Sequence, residues 1–220
     1  MGVYLEAIIL YVVVFLSGSA SFLINGPPAG AEVQAGFPVT ATLAGIMLRS
    51  IPSLALIWFL LLKNKKLKDW GIKPGIKDLV SCIYTLPCLL IIGFTVTFVS
   101  SKVGEASLQI TLVSPSNAFE WIILCLSCIL AAYLEESFFR FYLLSRRNEF
   151  KLSAVWALSL SVTLFSICHI YEGPWGFLNA VLSSILLCFM FLRYKSIHGI
   201  SIAHAMYNIA VYVINAMVMG

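Results

Sequence analysis

The stretch from Ala132 to Arg140 reads AYLEESFFR, and it places two adjacent carboxylates and an arginine inside an otherwise apolar run. A charge near the centre of a bilayer is costly unless it is paired or hydrated, so such groups point to function. Glu136 and Arg140 are four residues apart on one helix face, and this spacing predicts a salt bridge that neutralises both. Glu135 lies about 100° further round the helix and remains available for another task. The alternative is that the three charges only fix a helix packing interface.

The composition of the 220 residues indicates a polytopic membrane protein, because 60% of them are hydrophobic and 11% are charged. Soluble domains carry about a quarter charged residues. Several stretches here reach the ~20 apolar residues that span a ~30 Å hydrocarbon core. We therefore expect an all-α transmembrane bundle that forms one integral membrane domain over residues 1–220. The first apolar run has no positive leader and no small-residue cleavage motif, so we interpret it as a span.

The net charge of +4 does not indicate nucleic-acid binding, because the lysines cluster in one short loop between apolar segments. The pair Cys125 and Cys128 has the spacing of a redox motif, but its helix is apolar, so we expect neither a disulfide nor a metal there. The same small hydrophobic character is expected of every cysteine: Cys82, Cys88, Cys125, Cys128, Cys168 and Cys188.

The hydropathy pattern predicts about seven spans. They lie near residues 3–24, 39–62, 78–101, 117–146, 152–170, 175–192 and 200–220. Basic loops follow the second, fourth and sixth spans, which predicts a cytoplasmic N-terminus by the positive-inside rule. The segment YEGPW at 171–175 is predicted to be a tight external turn. Arg49 lies inside the second span, where we expect it to snorkel to the external interface or to meet an acid from another span.

Two later apolar segments carry histidines, in the sequences FSICH at 165–169 and HAMYN at 204–208. Polar groups in lipid must find partners, so we expect these segments to converge on the acidic cluster. A carboxylate with a histidine suits activation of water by general base catalysis. Histidine and asparagine one helical turn apart can donate hydrogen bonds to an oxyanion. The set is typical of amide hydrolysis, and the sequence has neither the GxSxG nor the HExxH motif of other hydrolases.

The depths of the three segments do not coincide when counted from the predicted cytoplasmic ends. At ~1.5 Å per residue, Glu135 lies roughly 16 Å deep, His204 roughly 9 Å and His169 roughly 27 Å. Helix tilt, an extended fourth span or a fifth span that begins deeper than Leu152 would each bring them together.

The ordered motifs EExxxR at 135–140, FxxxH at 165–169 and HxxxN at 204–208 resemble those of the CPBP family, also called Abi, of CAAX proteases and bacteriocin-processing proteins. The segment WGIK at 70–73 is similar to a further element of that family. The clear resemblance covers about residues 117–216, the expected catalytic core. Two departures are Phe141, where the family often has glycine, and the polar Ser196-Ile197-His198.

The resemblance implies an intramembrane glutamic-type endopeptidase that needs no cofactor. It also implies a role for each matching residue: Glu135 and His169 activate water, His204 and Asn208 form the oxyanion hole, and Glu136 and Arg140 support them. A zinc site made by Glu135, His169 and His204 is the open alternative.

The expected substrate is a membrane-embedded or lipidated peptide or protein, and the expected location is the plasma membrane of a prokaryote. A rival reading is a non-catalytic immunity or peptide-binding membrane protein of the same family, since function depends on the site and not on the fold. A proton-coupled transporter is a third reading, which the lack of repeated broken helices disfavours.

Overall fold

The computed structural model describes residues 2–16, 36–63, 72–103 and 113–219, and every regular element in these ranges is a helix. The seven helices are α1 (Val3–Leu16), α2 (Val39–Lys63), α3 (Ile76–Val103), α4 (Ala118–Ser145), α5 (Ala154–Ile167), α6 (Ile170–Tyr194) and α7 (Ile197–Met219). The predicted all-α class is confirmed. The end of the first predicted span, most of the basic loop and the start of the WGIK segment lie outside the described residues.

Five of these helices, α2, α3, α4, α6 and α7, are long and apolar enough to cross a membrane, consistent with an integral membrane protein. The helix α5 is shorter than its predicted span and has 14 residues, which reach only ~21 Å at 1.5 Å per residue. Ser153 caps its start by accepting a hydrogen bond from the backbone of Trp156, and the chain turns again after Ile167. The number of spans and the side of the N-terminus stay predictions.

The core of the bundle is built on the residues that follow Glu136 in α4. Ser137–Tyr142 has the wide winding of a π-helix, and every side chain in it is buried. The rings of Phe138 and Phe139 lie 5.0 and 4.7 Å from the ring of Phe15 in α1. Phe141 packs 5.8 Å from Trp58 and 6.2 Å from Phe191, measured between ring centroids. Phe141 therefore fills the core between α2 and α6.

The helix α3 packs along both α6 and α7, which contact each other little. The start of α7 sits so close to α3 that a Cβ on Gly199 would lie 2.4 Å from the backbone oxygen of Asp78. Ser196 donates a hydrogen bond to the Asp78 carboxylate and accepts one, at 3.0 Å, from the backbone of Gly199. The polar Ser196 that departs from the family pattern thus joins α7 to α3 and fixes where the His204 motif begins.

Arg49, for which the sequence predicts either snorkelling to the external interface or an acid partner, binds a backbone carbonyl. Its Nε and Nη2 atoms donate to the backbone oxygen of Val14 in α1, at 3.2 and 2.9 Å. A main-chain carbonyl is an acceptor that any apolar helix can offer, whereas an acid must be supplied by the sequence. The interaction ties α2 to α1.

Candidate active site

The helix α4 supplies a fully buried ion pair. The Nε atom of Arg140 lies 3.2 Å from Oε2 of Glu136, and both side chains are inaccessible, as their spacing predicts. An Nη atom of Arg140 donates to the hydroxyl of Ser184 in α6 at 3.0 Å. The guanidinium also lies over the ring of Phe165, 4.4 Å from its centroid. The buried arginine is therefore stabilised by a carboxylate, a hydroxyl and an aromatic face.

His204 of α7 lies between the two carboxylates of α4. Its Nδ1 atom is 2.9 Å from Oε1 of Glu136, and its Nε2 atom is 3.8 Å from Oε2 of Glu135. An ionised carboxylate only accepts hydrogen bonds, so Nδ1 carries the proton that it donates to Glu136. This bond fixes the imidazole ring with Nε2 directed to the side of Glu135. The helical spacing predicts the pairing of Glu136 with Arg140, but it does not indicate that Glu136 also holds His204.

The two adjacent glutamates occupy different environments. The Glu136 side chain is fully inaccessible, whereas 22% of the Glu135 side chain is exposed. Their separation of about 100° around the helix turns one towards the core and the other towards accessible space. Glu135 is thus the carboxylate of this pair that a substrate or a water molecule can reach.

His169 lies just beyond the end of α5, in the turn that leads to α6. Its Nδ1 atom is 2.9 Å from the backbone oxygen of Phe165, which requires Nδ1 to be the donor and leaves Nε2 as the open acceptor. The Phe165 ring stacks on His169 with centroids 4.5 Å apart and lies 6.2 Å from the His204 ring. Phe165 therefore brings the two motif histidines to one site.

Asn208 is one helical turn after His204 on α7 and is half-buried. In the part of the chain that the structure describes, its side chain makes no hydrogen bond with another residue. The structure thus places Asn208 on the His204 face of α7 but does not join it directly to the glutamates or to His169.

Glu172 is a further acid near the site, and none of the sequence motifs marks it as a site residue. The segment 171–175 is helical and is not the predicted tight turn. The first residues of α6, Ile170–Glu172, form a 3₁₀ turn that continues directly into its α-helical part. The half-buried carboxylate of Glu172 is close enough to His169 and Glu135 to interact with both electrostatically. Gly176 makes room for it, since a Cβ there would lie 2.3 Å from the Glu172 Cβ. The sequence signal for such a site residue is an acid three residues after His169, followed four residues later by Gly176.

No group of three or more histidine, cysteine, aspartate or glutamate side chains has an arrangement suited to a metal ion among the described residues. In particular, the three side chains of the alternative zinc site do not form such a group.

The fold and the site define an all-helical protein with helices of membrane-spanning length around a buried cluster of carboxylates, arginine and histidine. Residues 117–210 match the Rce1-like family, described as type II CAAX prenyl endopeptidase Rce1-like. This region is similar to that CAAX protease family, which agrees with the family predicted from the motifs and supports a peptidase. Neither the curated proteins nor the solved structures contain a significant match to the chain.

Proposed function

We propose that this protein is an intramembrane endopeptidase that cleaves a membrane-associated or lipidated peptide with water activated by Glu135 and His169. The observation that carries the proposal is the position of His204, held by Glu136 at 2.9 Å with Glu135 3.8 Å away on its other side. A buried, paired glutamate next to an accessible one is an arrangement in which one carboxylate holds the site together and the other is open to react.

Glu135 is the general base in this proposal. It is accessible, and the guanidinium of Arg140 is already paired with Glu136. The open Nε2 of His169 can accept a hydrogen bond from the same water and orient it, since Nδ1 is bound to the backbone of Phe165. Correct placement of base and water is the requirement for general base catalysis.

His204 and Asn208 are the proposed donors to the oxyanion. Donation by Nε2 of His204 requires a hydrogen on that nitrogen in addition to the one that Nδ1 donates to Glu136. Asn208 offers its amide one turn further along the same helix face. Donors aimed at the developing charge each contribute about 3 kcal/mol of transition-state stabilisation.

The reaction balances with these residues alone. Glu135 takes one proton from water while the water oxygen bonds to the carbonyl carbon of the substrate, whose oxygen becomes the oxyanion. When the tetrahedral intermediate collapses, the carbon–nitrogen bond breaks and the carboxylic acid of Glu135 gives its proton to the leaving amine. The products are a new carboxyl terminus and a new amino terminus, and Glu135 is again ionised.

The buried pair of Glu136 and Arg140 has a supporting role. In this pair the charge of Glu136 balances the charge of Arg140. Pairing lowers the cost of keeping both ionisable groups at membrane depth. The expected partners are the lipid bilayer and a membrane-embedded or lipidated substrate, and the expected location is a plasma membrane.

A comparison of protein termini in membranes tests the proposal in cells. Membranes containing the wild-type protein, Glu135→Gln or Glu149→Gln are compared by terminal proteomics. Glu149 is the matched control, because it pairs with Arg146 at 2.8 Å outside the site. Discrete new termini are expected with the wild type and Glu149→Gln and not with Glu135→Gln. Identical termini in all three would instead favour the non-catalytic peptide-binding reading.

A further inference from the structure

A polar side-chain pair joins α6 and α7, two helices that otherwise contact each other little. The Nδ2 atom of Asn179 lies 3.1 Å from the hydroxyl oxygen of Tyr207 and can donate to it. In the reverse sense, the Tyr207 hydroxyl can donate to Oδ1 of Asn179 at 3.4 Å. Both residues are half-buried among apolar helices, where a polar group gains from a partner on a neighbouring helix.

Tyr207 reaches Asn179 by crossing α3 at a glycine. A Cβ on Gly93 would lie 2.5 Å from the Tyr207 hydroxyl oxygen and 3.0 Å from its Cε2 atom. Any larger residue at this position would displace the hydroxyl. Because Gly93 has no side chain, it leaves the space that the Tyr207 hydroxyl of α7 needs to bond to Asn179 of α6.

Tyr207 is also the residue directly before Asn208 and lies three residues after His204. On a helix these three positions share one face, so a rotation of α7 moves them together. His204 is held by its own bond to Glu136. Asn208 has no side-chain hydrogen bond in the described part of the chain, so its direction depends on how α7 is rotated.

We infer that Tyr207 is a positioning residue: its bond to Asn179 across Gly93 sets the rotation of α7 and so aims Asn208 at the reacting carbonyl. The inference rests on the proposed function, because Asn208 is a donor to the oxyanion only if the protein is a peptidase. The bond itself is testable without any activity.

Thermal melting of the purified protein in detergent tests the bond. The proteins are the wild type, Tyr207→Phe, Asn179→Leu and the double variant, with the outward-facing Tyr84→Phe as the control. Each single change at the pair leaves one polar group without its partner and should lower Tm by about 2–4 °C. The double variant removes both groups and should melt no lower than the worse single variant. If the Tm decreases of the two single variants add up in the double variant, the bond between Asn179 and Tyr207 is contradicted.

Kinetics test the positioning role with a quenched fluorescent peptide that carries a prenylated CAAX end. Tyr207→Phe should lower kcat by about three- to tenfold with little change in KM, because an oxyanion donor acts in the transition state. The same change should have no further effect in an Asn208→Ala background. Gly93→Ala should lower kcat in the same way, whereas Gly45→Ala, where an added Cβ meets nothing within 4 Å, should not.

An undiminished effect of Tyr207→Phe in the Asn208→Ala protein, or a wild-type kcat for Tyr207→Phe, would overturn the positioning role. Failure of the proposed function has a different signature. In that case Glu135→Gln would cleave the peptide at the wild-type rate, or neither the wild type nor any variant would cleave it. The Tm values of the single and double variants would still show whether Asn179 and Tyr207 are bonded.

Discussion

The Nδ1 atom of His204 lies 2.9 Å from Oε1 of Glu136, so the motif histidine of α7 is bonded to the second carboxylate of the α4 pair. The other oxygen of the same carboxylate forms an ion pair with the buried Arg140, at 3.2 Å. Glu136 is therefore the residue through which α4 holds both the arginine and the histidine. Glu135 is left accessible beside them.

Replacing Glu136 should damage stability as well as activity. Glu136→Gln removes the only carboxylate shown in contact with Arg140 among the described residues, and an uncompensated buried charge costs about 3–5 kcal/mol. We expect a clearly lower Tm and lower yield of folded protein, together with loss of cleavage. Thermal melting beside Glu135→Gln is the measurement, and equal Tm values for the two variants would contradict this role.

Gly176→Ala should disturb the site from α6. Its Cβ would lie 2.3 Å from the Cβ of Glu172, so Glu172 must shift from its position beside the site. Overpacking of this kind costs about 1–3 kcal/mol, and we expect a lower Tm and reduced cleavage. Gly45→Ala in α2 is the control, and similar behaviour of the two alanine variants would show that the packing of Glu172 does not matter.

The predicted topology can be tested at the two ends of α4. Arg146 is bound to Glu6 at 2.7 Å and to Glu149 at 2.8 Å. Arg146 and the neighbouring basic residues predict a cytoplasmic loop, because acidic partners contribute little to the positive-inside rule. Cysteines at the exposed Ser116 and Asn148, in a protein without its native cysteines, should be labelled from opposite sides of the membrane. Labelling from one side would contradict a spanning α4.

Metal removal should leave the activity unchanged, because the proposed mechanism needs only protein groups and water. The measurements are zinc content of the purified protein and cleavage before and after treatment with a chelator. Stoichiometric zinc, with activity lost to the chelator and restored by zinc, would favour the alternative in which Glu135, His169 and His204 bind a metal.

Local spacing predicted the parts of the site that lie within one helix. The helical repeat predicts the ion pair between Glu136 and Arg140. It also predicts that His204 and Asn208 share one helix face. The motif order also predicted the family that residues 117–210 match, because three spaced motifs together are far more specific than any one of them.

Contacts between helices were not predictable from spacing. The counted depth of His169 disagreed with that of His204, yet the Phe165 ring contacts both imidazoles. The reason is that α5 is short and places His169 in the turn before α6, so counting residues from Lys151 does not measure depth. The bond of Arg49 to the backbone of Val14 escaped prediction for a related reason: every residue offers a carbonyl, so the sequence cannot mark which one is used.

The most direct test of the account is the cleavage rate of purified Glu135→Gln, measured beside its thermal melting. The substitution keeps the volume of the side chain but removes its ability to take a proton from water. We predict an unchanged Tm and a fall in kcat by a factor on the order of 10² or more. Cleavage of the prenylated CAAX peptide by Glu135→Gln at the wild-type rate, with normal melting, would contradict the assignment of Glu135 as the general base.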